Sequence, residues 1–88
     1  GLGEEVLKTV GSFLIVELMR QGKTPQEACE EAVQRIVKKN GDRIKDFQVG
    51  YIAVNKKGET GAYGIHPGFV YTVYQNNENR VITPKSYL

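Results

Sequence analysis

Two glycines flanking a single leucine, Gly1 and Gly3, stand directly ahead of an apolar helical stretch in the run GLGEEVLKTVGSFLIVELM. The first turn of a helix leaves N–H groups unpaired and carries a partial positive charge. Glycines there let a ligand approach the backbone closely, so the turn is suited to hold a small anionic group or to stabilise negative charge on a carbonyl oxygen. Gly1 and Gly3 are therefore the candidate site residues. Glu4 and Glu5 offer a second reading, in which they neutralise the helix end and the glycines serve only as a turn. A Gly-x-Gly by itself is common, and both readings stand at this point.

The other reactive residue types are sparse. The chain has one cysteine, Cys29, and one histidine, His66. That excludes an internal disulfide framework and gives no metal-ligand spacing, so neither a metal nor a cofactor is expected. Cys29 lies among Ala28 and Ala32 at helical spacing and reads as an inert core thiol, because nothing nearby in sequence would lower its pKa. His66 lies in a His66-Pro67-Gly68 turn without an Asp, Ser or Cys at recognisable spacing, and reads as a surface histidine. Glu17 falls on an apolar helix face and reads as a buried structural partner for the second helix's N-terminus or for an arginine.

A net charge of +2 over 88 residues says little about partners. The one basic concentration, Lys38, Lys39, Arg43 and Lys45, complements a helix end rather than marking a nucleic-acid surface. The longest unbroken apolar run, Phe13 to Val16, is far short of the ~20 residues that span a bilayer. No nucleic-acid or membrane partner is expected, and the compartment stays open. With 40% hydrophobic and 25% charged residues, the composition is that of a globular domain with a modest core.

The elements that must position the candidate turn follow from periodicity. A first helix is predicted from Glu4 to Arg20, with Val6, Leu7, Val10, Phe13, Leu14 and Leu18 on one face. Val16 and Met19 interrupt its polar side, which implies cover on both sides. Gly22 suits the left-handed position just past its end. Thr24-Pro25-Gln26-Glu27 starts a second helix with an N-cap hydroxyl, a proline at N1 and a glutamate at N3, and Lys38-Lys39-Asn40-Gly41 ends it.

From Asp46 the period becomes two. Phe47 to Val54 is apolar on both sides of the alternation and is predicted as a central strand covered on both faces. Asn55 to Glu59 forms a hairpin loop leading to a strand from Thr60 to Ile65, in which Gly61 and Gly64 admit a close neighbour. Phe69 to Gln75 is a third strand, whose Tyr71 and Tyr74 read as core or subunit contacts rather than base-stacking residues. After a turn at Asn76–Asn79 comes a short edge strand, Arg80 to Ile82, stopped by Thr83-Pro84. The fold class is α+β: two helices and then an antiparallel meander of three or four strands. One face of that sheet has no helix left to cover it, so something outside the 88 residues must pack there.

Taken together, these segments resemble the C-terminal part of the β subunit of the glycosylasparaginases, the aspartylglucosaminidase branch of the N-terminal-nucleophile hydrolases. The resemblance rests on the glycine turn followed by glutamate, on Val16, Glu17, Leu18 and Met19, on QGKTPQEAC, on VGYIAVNKKGETGAYGI and on the closing TPKSYL. It spans essentially all of the chain, read as one domain over residues 1–88. The neighbouring plant-type asparaginases and isoaspartyl peptidases share the glycine turn but are less similar in the first helix and the hairpin.

The resemblance implies a four-layer αββα sandwich and hydrolysis of the amide joining asparagine to N-acetylglucosamine. It also implies autocatalytic cleavage that exposes an N-terminal threonine nucleophile upstream of the glycine turn, which these 88 residues do not contain. Also missing are the threonine expected before Gly1 and the arginine and aspartate that hold the amino-acid end of the substrate. The implied partners are a nucleophile-bearing segment, an α subunit and a second αβ unit, with Gly1 as a backbone oxyanion donor and Leu2 and Gly3 lining the substrate pocket. The alternative that the residues leave open is a non-enzymatic α+β module acting through its uncovered sheet face.

Overall fold

The computed structural model describes the backbone of residues 2–46, 48–67, 71–75 and 78–88, and the side chains of residues 10–46, 48–67 and 83–88. Helix α1 runs Leu2–Arg20 and helix α2 Pro25–Asn40, followed by a 3-10 helix, Gly41–Asp46. Among the described residues five strands follow: β1 Gly50–Val54, β2 Thr60–Gly64, β3 Tyr71–Gln75, β4 Glu78–Ile82 and β5 Lys85–Ser86.

The helix junction forms as its local chemistry dictates. Gly22 takes φ +102°, and the N–H groups of Gly22 and Lys23 donate back to the carbonyls of Met19 and Leu18. This is the paired arrangement that closes a helix C-terminus. Thr24 then caps α2: its hydroxyl accepts from the Glu27 N–H at 3.1 Å while the Glu27 carboxylate accepts from the Thr24 N–H at 2.9 Å. Both bonds join groups that a helix start otherwise leaves unpaired. Thr24→Ala is expected to cost about 1 kcal/mol, within a span of about 0.5–2, read as a lowered urea midpoint; an unchanged midpoint refutes it.

The same bonds give the cap a pH dependence. Hydrogen bonds from the Thr24 backbone and side chain, aided by Lys23, hold the Glu27 carboxyl below the usual carboxylate range. Its contribution is present above the unfolded carboxylate pKa and is lost as pH falls through the lower folded value.

Both helices lie on one face of the sheet. The core joins Ile15 and Leu18 of α1, Ala28, Cys29, Ala32, Val33 and Ile36 of α2, Ile44, and Val49, Tyr51, Ala53 and Ile65 around the strands. Gly11 is the point where α1 meets β1: a Cβ there would overlap the hydroxyl end of the buried Tyr51 ring. That contact rolls α1 away from the expected orientation. Leu14 and Leu18 face inward as expected, but Val10 and Phe13 are 62% and 78% exposed. Glu17, expected to be buried, is instead half-exposed, 3.6 Å from Arg20 and 3.4 Å from the Gln21 amide.

The strand order corrects the expected meander. β1 and β2 pair antiparallel, Gly50 opposite Gly64 through Val54 opposite Thr60, around an Asn55 loop in which Gly58 takes φ +83°. β5 adds to the far edge of β2 in parallel, and β3 pairs with β4 in a separate two-stranded ribbon. The reason lies in the outer edge of β2. Its Ala62 N–H is bonded by the Gln26 side chain at 2.9 Å, and its Gly64 carbonyl accepts from the Tyr87 N–H at 2.8 Å. Those groups are thus already satisfied, and no β3 is needed to pair them.

β1, expected to be central, is an edge strand among the described residues. Its Tyr51 and Ala53 are buried, whereas Ile52 and Val54 on the opposite face are 50% and 58% exposed. The expected apolar sheet face without cover is therefore observed. Phe47, Phe69, Asn76 and Asn77, assigned from sequence to strands or turns, lie outside the described residues, and the strand that was expected to begin at Arg80 begins at Glu78.

Candidate functional site

Leu2 and Gly3 belong to the first turn of α1, which starts two residues earlier than expected, and Gly1 lies outside the described residues. Glu4 and Glu5 follow within the same turns. What places this helix start is the far side of the helix. Gly11 on Tyr51 and Ile15 and Leu18 in the core fix α1 against β1 and α2. Gly3 lies eight residues before Gly11, about 12 Å along the axis. The packing of α1 on β1 and α2 therefore sets the direction of the helix that carries the glycine turn.

The remaining reactive residues have structural surroundings. Cys29 is fully buried, with its Sγ 3.8 Å from the Gly61 carbonyl, and desolvation, with a smaller effect of Glu30, pushes its thiol pKa up to about 11. Folded protein should accordingly resist alkylation by a thiol reagent at pH 8 and react fully once denatured; rapid labelling in the native state would contradict this. Burial likewise raises the Tyr51 phenol to about 12, so it stays protonated at neutral pH.

His66 departs from its expected role as a surface histidine. Its ring Nε2 is 2.6 Å from the Ile44 carbonyl, so that nitrogen carries the proton and donates. Its backbone is gripped by Gln48, whose amide donates to the His66 carbonyl at 2.7 Å and accepts from the His66 N–H at 2.9 Å. A histidine so held ties the 3-10 helix to the end of β2.

A hollow of about 790 Å³ lies between the end of α1 and the β1–β2 loop, with Arg20, Lys23, Lys56 and Lys57 against a single carboxylate, Glu59. It sits at the C-terminal end of α1, roughly 27 Å along a 19-residue helix from the glycine turn. The structure thus does not join it to the candidate site. Sequence reasoning passed over Gln26 and Gln48, the two amides that satisfy backbone groups of β2 and its extension. A glutamine at a helix start or before a strand has no local signature for a bond reaching 36 or 18 residues along the chain.

Comparison with known proteins supplies what the geometry alone does not. The family model described as "Asparaginase" matches residues 1–83. An Elizabethkingia miricola protein named N(4)-(beta-N-acetylglucosaminyl)-L-asparaginase is 59% identical over 96% of this chain, and the chain covers 26% of it. A Drosophila grimshawi protein, a putative enzyme of the same name, is 44% identical over 83% of the chain and 18% of its own length. An Arabidopsis thaliana protein named probable isoaspartyl peptidase/L-asparaginase 3 is 32% identical over 92% of the chain and 21% of its own length. This chain therefore spans about a quarter or less of the relatives it matches. With the family model covering nearly its whole length and the glycosylasparaginase-named relatives the more similar, the chain belongs to the asparaginase family.

Proposed function

We propose that the chain is the C-terminal part of the β subunit of a glycosylasparaginase-like amidohydrolase that cleaves the amide between asparagine and N-acetylglucosamine. The observation that carries this reading is the 59% identity over nearly the whole chain to the Elizabethkingia relative, against 32% to the isoaspartyl peptidase/asparaginase relative. The two uncovered apolar side chains of β1, Ile52 and Val54, support a further layer of protein on the sheet.

In this reading the nucleophile is an N-terminal threonine produced by self-cleavage in another part of the enzyme. Its α-amino group takes the hydroxyl proton as Oγ attacks the side-chain carbonyl. The Gly1 N–H donates to the oxyanion that forms, and Leu2 and Gly3 border the aspartyl group. The C–N bond then breaks, the protonated glycosylamine leaves, and water hydrolyses the remaining threonyl ester to release aspartate. The nucleophile-bearing segment and the α subunit complete the site, and two such units pair. No metal or cofactor enters any of these steps. The isolated 88 residues are expected to turn over nothing.

The test is to assay the longer protein containing this chain on glycosylasparagine, on asparagine and on an isoaspartyl dipeptide. Preference for the glycosylated substrate supports the proposal. Preference for the isoaspartyl dipeptide refutes it in favour of the plant-type activity, and no turnover of any of the three refutes the enzymatic reading.

A further inference from the structure

The hollow between the end of α1 and the β1–β2 loop gathers positive charge from three separate segments of the chain. Arg20 lines it from the last turn of α1, Lys23 from the junction between the helices, and Lys56 and Lys57 from the loop. Local structure accounts for the first two, since cations at the C-terminal end of a helix complement its dipole. It does not account for the loop lysines. The loop is shaped by Asn55, whose Oδ1 accepts from the N–H groups of Lys57 and Glu59, both at 3.0 Å, and by Gly58 at φ +83°. Neither device uses a lysine side chain.

The nearby carboxylates are already engaged. Glu59 accepts from the Asn55 amide at 2.7 Å, Glu17 lies against Arg20 and the Gln21 amide, and Glu27 closes the cap of α2. Among the described residues Lys23, Lys56 and Lys57 make no ion pair. Like charges around one hollow repel one another, and an anion placed among them is attracted by all of them. Part of the lining is apolar as well: Val16, Met19 and Val54 border the same space, with Val16 55% and Val54 58% exposed. The volume of about 790 Å³ falls within the ~300–1,000 Å³ of small-molecule sites.

We propose that this hollow binds a small organic anion that carries two negative charges on an apolar body, an aromatic phosphate ester or an aromatic dicarboxylate. Arg20 offers a planar fork to a phosphate or carboxylate, the lysines offer mobile point charges, and the three apolar side chains take the ring. A ligand with one charge would leave most of the cations unmatched, and one without a ring would leave Val16 and Val54 in water.

The test is equilibrium binding to the longer protein containing this chain, with phenyl phosphate and phthalate as the organic anions, inorganic phosphate as the anion without an apolar body, and benzyl alcohol as the neutral ring. At least one organic anion is expected to bind with a Kd below about 1 mM; the tighter of the two tells a phosphate-ester site from a dicarboxylate site. Inorganic phosphate is expected to bind about tenfold more weakly, and benzyl alcohol not measurably. Replacing both loop lysines, Lys56→Gln with Lys57→Gln, is expected to weaken the organic anion at least about tenfold, with the urea midpoint unchanged because Asn55 and Gly58 hold the loop.

Absence of saturable binding by either organic anion overturns the proposal, and so does binding undiminished in the double variant, which places the anion elsewhere. Equal affinity for inorganic phosphate overturns it by removing the apolar contact. Resistance of Lys56 and Lys57 to an amine reagent in the ligand-free longer protein also overturns it, since the rest of that protein then fills the hollow. These outcomes are independent of the substrate assay: an anion held at the glycine turn would survive loss of the loop lysines, and the amide that the enzyme prefers does not enter any of them.

Discussion

Gly61→Val is expected to abolish cooperative folding of the chain. A Cβ at this position in β2 would overlap the backbone of Pro25 and Gln26 where α2 begins. Overpacking against side chains typically costs about 1–3 kcal/mol because they can move aside. Here the obstruction is main chain, held by the Thr24–Glu27 cap on one side and by the Gln26 bond to Ala62 on the other. Relief requires lifting α2 from the sheet, which opens the core around Cys29, Ala32 and Val33. A domain of this size is stable by only about 5–10 kcal/mol, so a lift of that kind exceeds what it can absorb. The measurement is urea unfolding followed by circular dichroism: Gly61→Ala should lower the midpoint sharply, and Gly61→Val should leave no two-state transition. A wild-type midpoint in either variant would show that α2 does not seat on β2 as described.

Gly3→Val, in the longer protein, is expected to abolish turnover while leaving stability close to wild type. Gly3 is in the first turn of α1, where valine is a somewhat better helix former than glycine, so the backbone has no cause to unfold. If the glycine turn borders the aspartyl group, a branched side chain there displaces substrate from the N–H donors. Loss of one such donor costs about 3–4 kcal/mol of transition-state stabilisation in other hydrolases. The effect should appear in kcat/KM per folded molecule, with the urea midpoint measured on the same preparation. The competing reading, in which Glu4 and Glu5 satisfy the helix end and the glycines are only a turn, predicts a shifted midpoint and unchanged turnover. That pattern would remove the assignment of Gly1, Leu2 and Gly3 to the site.

Much of the chain's organisation was legible because it is local. The Gly22 terminator, the Thr24–Glu27 box and the Asn55–Glu59 loop each involve groups within five residues of one another, and all three form as expected. The period of two at β1 and β2 and the small residue at Gly61 were equally readable, the latter because a glycine inside a strand signals a close neighbour. The candidate turn was legible only as a possibility. Its type and spacing point to anion or oxyanion binding, and identity to named relatives, not geometry, carries the family assignment.

Sequence by itself thus determined the junction between the helices, the first hairpin, the inert character of Cys29 and the apolar outer face of β1, since each follows from neighbours in the chain or from a repeating apolar pattern. Only the tertiary structure decided which side of α1 turns inward, where β5 pairs, and what holds His66. Helix α1 carries apolar residues on more than one side, and the side that turns inward is the one where Gly11 seats the Tyr51 ring, forty residues downstream. The edge of β2 goes to β5, and not to β3, once Gln26 and Tyr87 have satisfied its N–H and carbonyl groups. Periodicity reports how much of an element wants burial, but a hydrogen bond or a steric fit between residues far apart in the chain leaves no periodic trace, and it is those fits that select one arrangement among several of equal pattern.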